Sequence, residues 1–386
     1  MEPARLIRWS AKGKPHGRNA PDVIAINASI LGERPSGLGQ YALNVIRSLD
    51  ALRDGLVVYT SFPHPLAGLR AVVRLSSPLI RPERGITGHA ARLLWCQTVL
   101  RARVARDSPA VLFNTLPEGI LRCRIPQVTA IHDLVPLTFP EEYPRPQFYF
   151  RHLVPALLRE SRAVVADSDA TRRHVIDAYR LPLDRVHVIP CGYDAARFRP
   201  DGPVANDGGM PYVLYVGNLL PHKNLPRLIE AVARAARRVP VRLIIAGSGR
   251  PAHVAALKDL AVSVGASVEL KLYVPPDDLP VLYRGACLVA LPSLAEGFGL
   301  TALEAMACGR PVVAANTSSI PEVVGDAGLL VDPRDGDAIA DAILRLLTDE
   351  PLRRELIARG LTRAAFFSWE RTARQVLAVL DQIVGQ

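Results

Sequence analysis

The chain lacks the features of several large protein classes. No apolar run approaches the roughly eighteen residues needed to cross a bilayer. The five cysteines, Cys96, Cys123, Cys191, Cys287 and Cys308, form no C-x-x-C pair and no even set. That excludes a disulfide framework or a zinc ribbon and leaves reduced, structural thiols. Aromatic residues make up only 6% of the chain, and no RNA or DNA motif interleaves them with the basic residues. A base-stacking platform is therefore poorly supported. The first twenty residues, MEPARLIRWSAKGKPHGRNA, are basic and polar without the apolar middle of a signal peptide. A cytoplasmic address is expected, with residues 1–21 flexible.

What is present is a long chain rich in aliphatic residues. Its 386 residues, 49% hydrophobic and 22% charged, exceed what one ordinary core organises, so two domains are expected. The net charge of +10 is lopsided: residues 1–200 hold 28 basic against 17 acidic residues, and the remainder 19 against 20. An excess confined to the first half suits an anionic partner such as membrane headgroups, a lipid-linked phosphate or nucleic acid. Only five of the 47 basic residues are lysine, so an arginine-rich composition accounts for part of this excess.

Apolar runs alternate with helical patterns along the chain. DVIAINA (22–28) predicts a first strand, followed by a loop with Ser36, Gly37 and Gly39 and a helix from about Gln40 to Leu49. LVVYT, AVLFN, PQVTAIHD, AVVADS and VHVIP continue the series, and such alternation predicts a parallel, doubly wound sheet. RPDGPVANDGGMP (199–211) breaks the rhythm with turn formers. The pattern then restarts with YVLYVGN, VRLIIAGSG, VELKLYV, CLVALPS, RPVVAAN and GLLVDP. The expected organisation is two Rossmann-like halves, 1–202 and 203–365, with residues 366–386 forming a last helix. Residues 91–107, ARLLWCQTVLRARVARD, read as a helix with Leu93, Cys96, Leu100 and Val104 on one stripe and Arg92, Arg103 and Arg106 beside it. The arginines are expected to be solvated or to meet an anionic surface.

The most informative segment is LAEGFGLTALEAMACGR (294–310). It places Glu296 and Glu304 eight positions apart around Gly297-Phe298-Gly299, between a buried strand and a helix start. Unpaired N–H groups at Gly299, Leu300 and Thr301 would attract a phosphate, and the glycines let it approach. Carboxylates on either side suit hydroxyls of a sugar and a ribose. The string EGFGLTALEAMACGRPVVA resembles the E-x7-E signature of retaining glycosyltransferases of family 4, which have the GT-B fold, and the likeness extends over nearly all of the chain after residue 22.

The resemblance implies particular roles. Glu304 would bind the nucleotide ribose and Glu296 the transferred sugar, with backbone of Phe298, Gly299, Leu300 and Thr301 lining the sugar and diphosphate. In YVGNLLPHKN, Gly217 ends a strand and Lys223 would neutralise the diphosphate. Family members commonly carry an arginine after that glycine and another basic residue before the lysine; this chain has Asn218 and His222. Gly247 forms a second glycine turn, and Tyr273-Val274 match a loop that holds the base. From the first half, Gly37 and Gly39 would admit an anion, and His132, ending the strand VTAIHD, would reach the donor sugar. His132, Glu296 and Lys223 are the candidate catalytic residues. The segment Asp167-Ser168-Asp169 resembles a metal-binding D-x-D, but the following ATRRHVIDAY makes Ser168 or Asp169 a helix cap. No metal and no cofactor beyond the nucleotide-sugar donor are expected.

The resemblance further implies that the last helix returns to the first domain. HDLVPLTFPEEYP and VGNLLPHKN are similar to the branch that builds O-antigen and exopolysaccharide chains. It favours GDP-mannose over a UDP-sugar and an acceptor saccharide carried on a polyprenyl diphosphate, at the inner face of the plasma membrane. Two other readings stay open at this point: a non-hydrolysing nucleotide-sugar epimerase, and a nucleic-acid-binding protein drawn by the basic half.

Overall fold

A computed structural model describes residues 23–33, 36–205 and 209–385; the 1–21 segment lies outside them. Among the described residues, thirteen strands form two wholly parallel sheets. The first contains β1 (Ile24–Asn27), β2 (Leu56–Thr60), β3 (Val72–Leu75), β4 (Val111–Asn114), β5 (Gln127–Ile131), β6 (Ala163–Ala166) and β7 (Val186–Val188), in the order β3-β2-β1-β4-β5-β6-β7. The second contains β8 (Tyr212–Val216), β9 (Arg242–Ala246), β10 (Val268–Lys271), β11 (Leu288–Leu291), β12 (Val312–Ala315) and β13 (Leu329–Val331), in the order β10-β9-β8-β11-β12-β13. The order reverses at β1/β4 and at β8/β11. Crevices open at such reversals, beyond the carboxyl ends of the strands, because the connections leave to opposite faces there.

The central strands are buried throughout and mostly apolar because helices cover both of their faces. In β1, β4, β5, β6, β11 and β12 every residue is buried. The helix Leu225–Ala236 shows the complementary pattern, burying Leu225, Leu228, Ile229, Val232 and Ala235 at helical spacing. It packs on the helix Gly336–Thr348. The edge strand β3 was not legible in the sequence, and its half-exposed VVRL carries neither clean alternation nor a long apolar run.

The last helix, Trp369–Val384, lies on the first sheet's side, against the helix Gly37–Leu52 and near β4 and β6. Trp369 meets Tyr41 edge-on at 6.0 Å, Thr372 donates to the Pro190 carbonyl at 2.7 Å, and Arg53 pairs with Asp381 at 2.9 Å. Gly192 is where the outgoing chain passes this helix, and a Cβ there would collide with the backbone of Ser368 and Trp369.

The 91–107 segment departs from expectation. It is a helix, Gly85–Trp95, then a π turn, Cys96–Leu100, then a helix, Arg101–Asp107. Cys96, Leu100 and Val104 are buried, Leu93 is half-buried and Leu94 faces solvent. Arg92 is not solvated: its Nε donates to Glu118 at 2.7 Å and its Nη1 to the Ile80 carbonyl at 3.2 Å. Arg103 donates to the Leu75 carbonyl at 2.8 Å, which leaves Arg106 as the outward member of the three, 70% exposed. The sequence pattern missed this because Glu118 lies 26 positions away.

Burial works against a charge on Glu118, yet hydrogen bonds and charge from His89 and Arg92 hold its carboxyl below the usual range. Taking away one partner of such a buried pair strands the other. Glu118→Ala is expected to cost about 3–5 kcal/mol in urea unfolding. A loss below about 1 kcal/mol would instead place the pair among surface ion pairs of little consequence.

Candidate active site

The site is built where the two strand reversals face each other. From the first sheet, β4 leads to Thr115, β5 to His132 and Asp133, and β6 to Asp167 and Ser168. From the second, β8 leads to Gly217 and the turn Pro221–Lys223, β9 to Gly247, and β11 to the loop 292–299. The two sides touch at Gly297, where a side chain would strike the His132 carbonyl. The Gly297 carbonyl accepts from Ser168 Oγ at 2.9 Å and Thr171 Oγ1 at 3.2 Å. Ser168 is also the N-cap of the helix Asp169–Tyr179, accepting from Thr171 N at 3.0 Å. Glu322, from the second half, accepts from the N–H groups of Asp169 and Ala170 at 2.7 Å each, where a helix start favours a carboxylate.

The loop carrying the first glutamate is laced from beneath. Ser319 Oγ reaches the carbonyls of Glu296 (3.0 Å) and Phe298 (2.9 Å), and Ser318 Oγ that of Glu296 (2.5 Å). Glu296 Oε1 accepts from Lys223 Nζ at 2.7 Å and Ser293 Oγ at 2.8 Å. These contacts join two residues singled out from separate motifs. The Phe298 side chain is buried against Phe367 at 5.8 Å, so only its backbone is available to a ligand. Gly299, at φ +109, caps the helix Leu300–Ala307, a backbone conformation that favours glycine.

Glu304, on that helix, accepts from Tyr283 OH at 2.8 Å. Burial pushes its carboxyl up to about 7 despite the lowering effects of the Tyr283 hydroxyl and Arg197. Gly217 (φ +152) and Gly247 (φ +158) stand together, and a side chain at 247 would enter the Gly217 carbonyl. Asn218 is exposed beside them.

His132 is engaged on both ring nitrogens. Nδ1 lies 2.7 Å from Asp167 Oδ2, and Nε2 lies 2.9 Å from the Thr115 carbonyl. A carbonyl only accepts, so Nε2 carries a proton. Burial disfavours a second proton, but the Asp167 carboxylate and the Thr115 carbonyl outweigh it and raise the imidazole above its ordinary range. The ring is thus held from both sides, edge-on to Tyr41 at 4.4 Å. Asp133 faces the cleft with its carboxyl raised by burial against the opposing effects of the Val135 N–H, His132 and Lys223. Asp167, the partner that holds His132, was considered in the sequence only as part of a D-x-D. Its actual role depends on β5 and β6 being neighbours. Tyr283 gave no sequence signal as the partner of Glu304.

Two boundaries differ from expectation. The helix after β1 starts at Gly37 rather than near Gln40, so Gly37 and Gly39 form its first turn. The Gln40 N–H already bonds the Ser36 carbonyl at 2.8 Å. Strand β10 ends at Lys271, leaving Tyr273 63% exposed and Val274 packed partly on the core.

A sequence profile described as Glycosyltransferase Family 4 matches residues 35–197, and one described as Glycosyl transferases group 1 matches residues 201–363. O-antigen chain mannosyltransferase B of Escherichia coli is 36% identical over 261 residues, covering 65% of this chain and 68% of that protein. A D-inositol 3-phosphate glycosyltransferase of Frankia alni is 39% identical over 237 residues, 56% of this chain and 58% of that protein. This chain therefore spans little more than half the length of that second relative. Among solved structures, sucrose-phosphate synthase from Thermosynechococcus elongatus superposes with a TM-score of 0.75 at 23% identity, covering 94% of this chain and 99% of that one. Anabaena HepE in complex with UDP and glucose gives 0.73 at 21%, covering 94% and 100%. At these identities the structural likeness is one of fold. The matches decide between the rival readings of the sequence in favour of glycosyl transfer over epimerisation or nucleic-acid binding.

The Glu304 environment makes a testable statement about stability. A carboxyl near 7 in the folded state, against about 4.3 when unfolded, binds more protons folded than unfolded between those values. Its contribution to stability is therefore lost as pH rises through that window. Glu304→Gln is expected to unfold at higher urea than the parent above pH 7, with the gap closing toward pH 4.5. A gap independent of pH would remove the assigned burial effect.

Proposed function

The chain belongs to the family 4 glycosyltransferases and has the GT-B fold, and from that premise we propose that it transfers mannose from GDP-mannose to a lipid-linked saccharide with retention of configuration. The observation that carries this reading is the pairing of Lys223 with Glu296 at 2.7 Å, on the same strand–loop–helix segment that carries the raised carboxyl of Glu304 and the helix start at Gly299. A diphosphate drawn to Lys223 and the helix start places a ribose toward Glu304 and a hexose toward Glu296. The relationship to a mannosyltransferase at 36% identity supports mannose. His132, fixed by Asp167, forms a wall near the sugar and positions it.

Retention fits a cleft whose carboxylates are committed elsewhere. Glu296 is tied to Lys223 and Ser293, and Asp133 is shifted by burial toward its neutral form. Attack from the face of the departing diphosphate, with a phosphate oxygen taking the acceptor proton, then needs no side-chain nucleophile. Metal independence is supported by the cation of Lys223 and the helix start at Gly299, which supply positive and N–H groups for a diphosphate. It is also supported by the use of Asp167 and Ser168 in other contacts.

Contact with an anionic bilayer is supported by a concavity of about 570 Å³ at the amino ends of β5, β6 and β7, away from the cleft. Arg122, Arg124, Arg159, Arg162 and Arg185 line it with Glu160 as the one carboxylate. Among the described residues no helix is long and apolar enough to cross a membrane.

A panel of GDP, UDP, ADP, dTDP and their sugar conjugates, scored by thermal shift in excess EDTA, tests the reading. GDP and GDP-mannose are expected to stabilise most. Glu304→Ala should weaken nucleoside-diphosphate binding about 10- to 100-fold, and Lys223→Ala should lower kcat about 10²- to 10³-fold. Preference for another base would reassign the donor, and full activity in both variants would remove the site.

A further inference from the structure

His222 stands directly before Lys223, in the turn Pro221–Lys223 of the second half, yet its side chain is committed to the first. It is 2% exposed. Nδ1 lies 2.6 Å from Glu142 Oε2, and the ring sits between Phe139 at 5.5 Å and Tyr143 at 6.0 Å. Those three residues follow His132 and Asp133 in HDLVPLTFPEEYP, past the short helix Val135–Thr138. The backbone of His222 faces the other way. Its carbonyl accepts from Leu294 N at 2.8 Å, two residues before Glu296, and its neighbour Lys223 pairs with Glu296.

One residue thus touches the wall of the first domain, the lysine turn and the glutamate loop. A buried imidazole–carboxylate contact is favourable only while both partners are withdrawn from water together. Parting the domains hydrates both and exposes the Phe139 and Tyr143 rings. The contact belongs to the closed cleft alone, and its free energy biases the domains toward closure.

We propose that His222 is a positioning residue: with Glu142 it clamps the two domains shut on one flank of the cleft and so sets Lys223 and the Glu296 loop against the first domain. The clamp acts through Lys223 and Glu296 and touches no reacting atom. Its catalytic consequence rests on the transferase reading given above; its structural consequence does not.

The test is a double-mutant cycle with Glu142→Gln, His222→Gln and the combination, all of which preserve side-chain volume approximately. Each single change is expected to lower kcat/KM for the nucleotide sugar about tenfold. The double variant should be no worse than the poorer single. Affinity for the nucleoside diphosphate alone should stay within about twofold, because Lys223 remains in its own domain. Small-angle X-ray scattering without ligand should show a larger radius of gyration in all three variants.

Additive losses, diphosphate affinity falling in step with kcat/KM, or scattering curves identical to the parent would each overturn the clamp. The last two would make His222 a local support for Lys223. If the parent transfers sugar from no donor, the functional reading fails, and scattering alone decides the clamp.

Discussion

The cleft depends on one close approach of backbones, that of Gly297 to the carbonyl of His132. Any Cβ at 297 would hold the two sheets apart, and with them every charged group that the strand reversals bring forward. Glycine there is a requirement of distance between domains rather than of torsion, unlike Gly299, whose positive φ turns the chain into its helix. Around this contact the hydroxyls of Ser168 and Thr171 and the carboxylate of Glu322 all cross between the two halves. The helix Asp169–Tyr179 therefore has its start capped partly by its own serine and partly by the other domain. That is an economical way to make domain closure and local helix stability the same event.

The electrostatics of the cleft follow from this enclosure. Fixed pairs engage its most buried ionisable side chains: His132 with Asp167, Lys223 with Glu296, His222 with Glu142. Glu304 differs, because its partner Tyr283 is neutral and its carboxyl rises to about 7. A group left half-compensated by the protein is one whose remaining acceptor capacity suits the hydroxyls of a ligand. The cleft thus holds its two glutamates in different environments. Glu296 is bonded to a cation and a hydroxyl, and the carboxyl of Glu304 is raised by desolvation.

Local order explains what was legible in the sequence. The strand–loop–helix signature around Glu296 and Glu304, the glycine turns at 217 and 247, and the capping role of Ser168 are all written within a dozen residues, where hydrophobic period and turn chemistry operate. The strands were found for the same reason, save β3, whose edge position asks little of its side chains. The misses share one cause. Arg92 was read as solvated because its partner Glu118 is distant in sequence; His132 was recognised but not Asp167, and Lys223 but not Glu142 beside its neighbour. Each missed residue is an ionic or hydrogen-bonding partner delivered by sheet order or domain contact, and neither propensity nor spacing encodes which strand lies beside which.

On the proposed reading, Lys223 and Glu296 form a pair that a diphosphate must enter rather than simply join. A phosphate oxygen reaching Nζ shares the ammonium with a carboxylate that already holds it at 2.7 Å. Because Glu296 also accepts from Ser293 Oγ at 2.8 Å, it stays hydrogen-bonded when part of the lysine's charge is drawn away, and its freed lone pairs face whatever hydroxyls accompany the diphosphate. The exchange replaces one charge-assisted bond with others of the same kind, so little is lost in desolvation that the pair had not already met. A ligand with a diphosphate but no sugar makes only half of this exchange, and one with a sugar but no diphosphate leaves the lysine on the carboxylate that the sugar needs. On that reading, selectivity for the joined molecule over either fragment follows from the ion pair.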